Sequence, residues 1–206
     1  GARFAVKLHR SGCKITYKHL PQASHGFVCS EGDSEHFREA VRIASQWLAT
    51  PLSLKSPQED LESPTSQVDN LDNLAPNNGL FILAGDSAGG NLAIASTLAL
   101  QERYGIAGCL AIYPATQHYI SDLPSYTEHA KTGLVPARHM RWFCDTYLDG
   151  MAPADPVLER MFPGRRTMLN LFPRTLIITA ERDPIRDDGA RFAVKLHRSG
   201  CKITYK

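Results

Sequence analysis

Short apolar runs alternate with amphipathic stretches through the second half of this chain, and that alternation constrains its fold more than any other feature. Residues 80 to 84, LFILA, form a continuous apolar run bounded by Gly79 and Gly85, the pattern of a strand buried on both faces of a parallel sheet. GGNLAIASTLALQERYG follows, with Leu92, Ala93, Ala95, Ala99 and Leu100 among its small and apolar residues, Gln101, Glu102 and Arg103 at its polar end, and Gly105 placed as a helix stop. AGCLAIYPA at 107 to 115 reads as a second buried strand ended by Pro114, and RTLIITA at 174 to 180 as a third. A helix over Asp187 to Ser199, stopped by Gly200, leads into a last strand, CKITYK; Asp187 and Asp188 fall in its first turn, where the helix dipole favours acids. The order predicts an α/β fold, a partial and mostly parallel sheet with flanking helices.

Two regions break the alternation. Residues 51 to 79 are rich in Ser, Pro, Asn, Asp and Gln with scattered apolar residues, and read as a disordered linker. Residues 117 to 172 carry apolar clusters without a clear strand. The best helix there is PARHMRWFCDTYL, starting at Pro136 with Met140, Phe143, Tyr147 and Leu148 along one side, a pattern that suits a lid or pocket wall.

Size and charge narrow the function classes. A chain of 206 residues with 43% apolar side chains can build one generous domain. Twenty-three basic against 21 acidic residues give a formal charge of +2 without a basic tract, which argues against nucleic acid as a partner. No apolar run is long enough for a transmembrane segment and the first residues lack the features of a signal peptide, so a cytoplasmic location is expected. Cys13, Cys29, Cys109, Cys144 and Cys201 form no CxxC pair and none stands at metal-ligand spacing from a His pair. They read as reduced, half-buried thiols, with no metal and no cofactor expected.

Chemistry begins at GDSAGG, residues 85 to 90, which lies directly after an apolar run and directly before a helix, the context a G-x-S-x-G nucleophile elbow requires. Glycines flank Ser87 because side chains in so tight a turn would collide with the adjoining strand and helix. The turn would push the Ser87 hydroxyl out at the carboxyl end of the sheet. There the helix N-terminus and the Ala88 backbone N–H can stabilise a developing oxyanion. The plainer alternative is that Ser87 only caps the helix.

GDSAGGNLA, the YPAT after the next strand, and LFPRTLIITAERDPIRDDGARFAVKLHRSG together resemble successive blocks of the hormone-sensitive-lipase-like carboxylesterases, a group of α/β-hydrolases. The likeness covers residues 80 to 206 and implies a nucleophile-to-acid core. By this resemblance Asp183, in ERDPIRDD, is the acid of a catalytic triad; otherwise it is a turn residue ahead of Pro184. The family's histidine, in an HGF-like loop about 30 residues further on, does not follow Lys206.

A repeat supplies it. GARFAVKLHRSGCKITYK stands at residues 1 to 18 and again, identically, at 189 to 206, a period of 189 − 1 = 188 residues. After the first copy come HLPQASHGF and then EGDSEHFREAVRIASQWLA at 31 to 49, similar to the family's last helix, with Asp33 or Ser34 as its cap. Asp183 lies 23 residues before Lys206 and His25 lies 7 after Lys18, a joined separation of 23 + 7 = 30. Residues 1 to 50 thus resemble the carboxyl end of a hydrolase moved to the front, a circular permutation that gives the chain order His25, Ser87, Asp183. Exact identity over 18 residues points to a recent or artificial duplication. Both copies also compete for one place in the fold, which raises the expectation of a segment-exchanged homo-oligomer.

The resemblance implies a serine hydrolase acting on small-molecule carboxylic esters. His25 would take the Ser87 proton during attack and return it to the leaving alcohol, with Asp183 orienting the imidazole; water would then release the acyl group. Trp142 and Phe143, in the lid-like helix, are candidate substrate contacts, or else plain core. The family's HGGG-like motif, which completes the oxyanion hole, is absent: Gly89-Gly90 is the only Gly-Gly pair. The strands that carry that motif are missing with it, so a narrow sheet is expected, with the nucleophile strand at an open edge. A catalytically idle hydrolase-like fragment or binding module is therefore the competing reading.

Overall fold

A computed structural model describes residues 35–49, 81–118, 122–131, 135–148, 158–166 and 169–206. In chain order these form α1 (Glu35–Ala49), β1 (Ile82–Asp86), α2 (Ala88–Tyr104), β2 (Gly108–Ile112), α3 (Ser125–Glu128), α4 (Ala137–Leu148), α5 (Leu158–Met161), a single 3-10 turn at Pro163–Arg165, β3 (Arg174–Ile178), α6 (Arg186–Arg198) and β4 (Ile203–Tyr205). The linker expected at 51–79 and the first copy of the repeat lie outside the described residues.

Four strands pair in the order β1-β2-β3-β4, every pair parallel. Alternation along the strands sends successive side chains to opposite faces of the sheet. Leu83, Cys109, Ala111, Ile177 and Tyr205 point to one face and pack with Ala93 and Ile94 of α2 and with Ala190, Phe192, Ala193 and Leu196 of α6. Ile82, Leu110, Ile112, Leu176 and Ile178 point to the other, where Ala40, Ile43 and Ala44 of α1 cover them. The result is three layers, helix on sheet on helix. On the outer side of α1, Arg42 bonds Glu39 at 2.7 Å and Gln46 at 2.8 Å.

Helix ends follow the residues that permit them. Gly105 closes α2 at φ 57°, donating its N–H to the Gln101 carbonyl at 3.0 Å, and Gly200 closes the α6 exit at φ 78°. Only glycine adopts that left-handed conformation without strain.

Three expectations need correction. The first strand is shifted: it runs Ile82–Asp86, through Gly85 to the residue before the serine, because Gly85 pairs with Ala111 and Asp86 with Ile112 in the ladder. Its residues are half-buried or exposed, with Ala84 the most open, because among the described residues β1 is the outer strand of the sheet. The lid helix turns a different side inward. Met140 and Cys144 are buried and Leu148 packs against Leu158, Met161 and Phe162, whereas Phe143 and Tyr147 are 46% and 52% exposed. A spacing of four sets that stripe, and Phe143 lies about 100° around the helix from Cys144. Finally, Cys109, Cys144 and Cys201 are thiols outside any disulfide and are buried, not half-buried, and burial pushes the Cys109 thiol up to about 12. Among the described residues no helix is long and apolar enough to cross a membrane.

Candidate active site

Ser87 occupies the single residue between β1 and α2. Its backbone sits at φ 52°, ψ −119°, a conformation that L-residues rarely adopt. Strand and helix hold it there. Its N–H donates to the Ile112 carbonyl of β2 at 2.9 Å, and its carbonyl accepts from the N–H groups of Asn91 at 3.1 Å and Ala115 at 3.5 Å. Closeness is the reason for Gly85 but not for Gly89, where an added Cβ would meet nothing within 4 Å, so the collision expected on both sides of the serine holds on one. A Cβ on Gly85 would stand 2.2 Å from the Gly89 oxygen, and one on Gly90 would stand 3.0 Å from the Pro114 Cβ and 3.2 Å from the Gly85 oxygen. No hydrogen bond from the Ser87 side chain caps α2, so the capping alternative lacks its defining contact. Ala88 opens α2, so its N–H belongs to the helix end whose donors have no intrahelical acceptor.

Parallel pairing brings the ends of β1, β2 and β3 to one rim of the sheet. Asp183 lies at that rim, five residues past the end of β3, and β1 and β3 are two strand spacings apart, about 10 Å. Its side chain is 1% exposed. The Ile185 N–H donates to its Oδ1 at 3.0 Å and the Arg186 N–H to its carbonyl at 3.1 Å, so the acid loop is fixed by the cap and the first residue of α6.

Several residues that a sequence reading passes over build the frame. Asn91 is buried in α2, and its Nδ2 donates to the carbonyls of Ala115 at 2.6 Å and Met161 at 2.7 Å, tying the serine's helix to the loop after β2 and to α5. Tyr113 carries a positive φ of 34°, donates its N–H to Ile178 at 2.6 Å and reaches Asp86 Oδ2 with its hydroxyl at 3.4 Å. Asp188 is 0% exposed, whereas a dipole-favoured acid of a first turn would face water. Its Oδ2 accepts from the N–H groups of Thr116 at 3.1 Å and Gln117 at 3.0 Å and lies 3.5 Å from the Tyr126 hydroxyl. Burial raises its carboxyl well above the ordinary 3.8, and the nearby Asp183 carboxylate raises it further, against the pull of those hydrogen bonds. One sequence signal marked it: Asp188, Phe192 and Leu196 follow at i, i+4 and i+8, so the acid continues the buried stripe of α6.

Neighbouring Asp187 behaves differently. Its Oδ2 accepts from the Ser125 N–H at 3.0 Å and its Oδ1 from Arg186 Nε at 2.8 Å. Partial burial works to raise this carboxyl, and the Arg186 guanidinium more than reverses it, so the net shift is downward. Arg186 also reaches Glu128 at 2.9 Å and His129 at 3.0 Å, and the Ser125 hydroxyl donates to the Pro184 carbonyl at 2.6 Å. The short helix α3 is thereby knitted to the acid loop. Burial, and then the Arg186 charge, lower His129 below the usual imidazole range.

The remaining candidates are less engaged. Trp142 and Phe143 stand against each other, centroids 5.2 Å apart, and Trp142 is 62% exposed, on the outward side of α4. His25 lies outside the described residues. The structure thus brings Ser87, the Ala88 N–H and Asp183 to one rim, and does not describe the histidine.

A profile of the alpha/beta hydrolase fold matches residues 39–206. The carboxylesterase NlhH of Mycobacterium tuberculosis is 34% identical over 125 residues, covering 59% of this chain and 39% of that protein. An ethyl acetate hydrolase of Pseudomonas putida is 27% identical over 165 residues, covering 79% and 50%. Among solved structures, DphMB1 superposes with a TM-score of 0.60 at 31% identity over 67% of this chain and 46% of that one. A bacterial heroin esterase superposes with a TM-score of 0.58 at 26% identity, over 66% and 46%. The chain spans about half the length of these relatives or less.

Proposed function

The chain belongs to the alpha/beta hydrolase fold family, and from that premise we propose that it is a serine hydrolase that cleaves carboxylic esters through an acyl-enzyme intermediate. The observation that carries this reading is the backbone of Ser87, held at φ 52° between a parallel strand and a helix N-terminus. Such strain persists only where the surrounding structure enforces it, and here it projects a hydroxyl at the rim where Asp183 is buried.

In this proposal Ser87 Oγ attacks the ester carbonyl while His25 Nε2 takes its proton. The oxyanion that forms is met by the Ala88 N–H and the positive end of α2. His25 then passes the proton to the alkoxide leaving group, so the alcohol departs neutral, and the acyl group remains on Ser87. Water, deprotonated by His25, attacks that acyl-enzyme, and the serine recovers its proton. Asp183 orients the imidazole and stabilises its charged form. Two features of sequence and structure support His25 in this role. Lys18 and Lys206 are equivalent positions of the repeat, and the described copy ends in β4, parallel to β3, so chain continuing seven residues beyond that strand emerges at the same rim. α1, which follows His25 in sequence, packs across β2 and β3 on the face opposite α6. The substrates are small esters, with the exposed Trp142 and Phe143 offered to the acyl or alcohol part.

Hydrolysis of 4-nitrophenyl acetate and its longer acyl homologues tests the reading. Turnover is expected in the chain as it stands and only background in Ser87→Ala. A folded chain with no turnover, at any acyl length, means an idle hydrolase-like fragment.

The repeat adds a proposal about assembly. Residues 1–18 can take the place of residues 189–206 of a second chain, because the two segments are chemically the same. Truncation after Asp188 should then change the distribution of sizes in gel filtration. An unchanged distribution removes the exchange.

A further inference from the structure

One short loop after β2 carries contacts to both halves of the candidate site. At its near end the Ala115 N–H reaches the Ser87 carbonyl at 3.5 Å, and the Ala115 carbonyl accepts from Asn91, four residues past the serine, at 2.6 Å. At its far end Thr116 and Gln117 both donate their N–H groups to Oδ2 of Asp188, and the Thr116 hydroxyl donates to the Asp188 carbonyl at 2.9 Å. Asp188 is in the first turn of α6, five residues from Asp183, whose carboxylate and carbonyl are held by the N–H groups of Ile185 and Arg186.

We propose that Asp188 is a positioning residue of the hydrolase site: it clamps the first turn of α6 to the loop 113–117 and so sets the separation of Asp183 from Ser87. This rests on the hydrolase reading given above.

The chemistry of the clamp explains why an acid stands there. Two consecutive backbone N–H groups point into a space from which water is excluded, and the Asp188 Oδ2 accepts both of them. An apolar side chain would leave both donors without an acceptor, and the loop would turn to find one. The second oxygen, Oδ1, finds no partner among the described residues. The groups facing this carboxyl are the Tyr126 hydroxyl from α3 and the Asp183 carboxylate from the acid loop; Asp187 is engaged elsewhere, with Ser125 and Arg186. Burial and the acidic neighbour both favour the uncharged form of Asp188, so an amide that keeps the acceptor oxygen could take its place. A loop released at 116 and 117 would move the contact at Ala115 as well, because these residues are adjacent.

Three variants test the clamp, with amide hydrogen exchange and fluorophosphonate labelling of Ser87 as separate readouts. Asp188→Ala is expected to lose exchange protection at Thr116 and Gln117 and to label about 10- to 100-fold more slowly, the cost of a misplacement of about 1 Å. Asp188→Asn, which keeps the acceptor oxygen and the shape, is expected to restore both readouts to the wild-type values, which a need for the charge itself would forbid. Should the alanine variant not fold, Asp188→Ser, which retains a shorter acceptor, is expected to fall between the two. Unchanged exchange at Thr116 and Gln117 in a folded Asp188→Ala or Asp188→Ser would overturn the proposal, as would lost protection with labelling at the wild-type rate. If the wild-type chain never labels while Asp188→Ala still loses protection, the clamp stands and the hydrolase reading falls.

Discussion

Alanine placed in turn at Gly85, Gly89 and Gly90 should give three different outcomes, and the spacing around the serine turn sets their order. A Cβ on Gly85 meets the Gly89 oxygen at 2.2 Å, the Gly89 carbonyl carbon at 2.4 Å and the Gly90 nitrogen at 2.9 Å. All three are backbone atoms of the first turn of α2, so no side chain can swing aside and β1 must part from α2 by more than 1 Å. Overpacking of this kind costs about 3 kcal/mol, the upper part of the usual range. At Gly90 the nearest atoms lie at 3.0 Å and 3.2 Å, a mild overlap that the helix-forming preference of alanine partly offsets, leaving a loss of about 1 kcal/mol or less. Nothing lies within 4 Å of a Cβ on Gly89, and there alanine only reduces the freedom of the unfolded chain, a gain of about 0.4 to 1 kcal/mol. Equilibrium unfolding in urea reads all three. The reasoning fails if Gly85→Ala unfolds within about 1 kcal/mol of wild type, or if Gly89→Ala is as damaging as Gly85→Ala.

Ser87→Gly should raise stability by about 1 kcal/mol while abolishing ester turnover, since glycine relieves the strained φ and removes the nucleophile; a destabilised variant in thermal unfolding would contradict this. Asn91→Leu leaves the carbonyls of Ala115 and Met161 without their buried donor and should cost about 2 to 4 kcal/mol in urea unfolding, with a loss below about 0.5 kcal/mol as the contrary result. Asp188 introduces a pH dependence of definite sign. Because burial raises its carboxyl in the folded state, its neutral form gives full stability below the unfolded value of 3.8 and that stability is lost as pH rises toward the folded value. Asp188→Asn removes this loss, so its stability relative to wild type should rise as the pH is raised above 3.8 toward the folded value, whereas a constant difference would refute it.

The serine turn could be read from sequence because its chemistry is local: a run of apolar residues, a glycine on either side of the x-S-x, and a helix of small residues suffice to define it. Strand ends were less accessible, since the ladder through Gly85↔Ala111 and Asp86↔Ile112, not hydrophobicity, decides where β1 stops. The buried side of α4 depends on what lies beneath it. Cys144 and Leu148 pack with Leu158 and Met161 of α5, Met140 is buried on the same stripe, and no periodicity within the helix itself distinguishes that stripe from one through Phe143 and Tyr147. Asn91 and Asp188 are polar residues whose roles come from backbone groups 24 and 72 residues away, contacts that only the folded chain creates. Asp188 still left a trace, its register with Phe192 and Leu196.

Everything proposed for the reaction turns on whether His25 activates Ser87. The direct measurement is peptide-mapped mass spectrometry after treatment with a fluorophosphonate, run on the wild-type chain and on folded His25→Ala, Asp183→Asn and Ser87→Ala variants. The account predicts a single adduct on the peptide containing Ser87, absent from Ser87→Ala and formed about 10³- to 10⁴-fold more slowly in the other two. An adduct that forms at the wild-type rate without His25, or one carried by another serine, would contradict it.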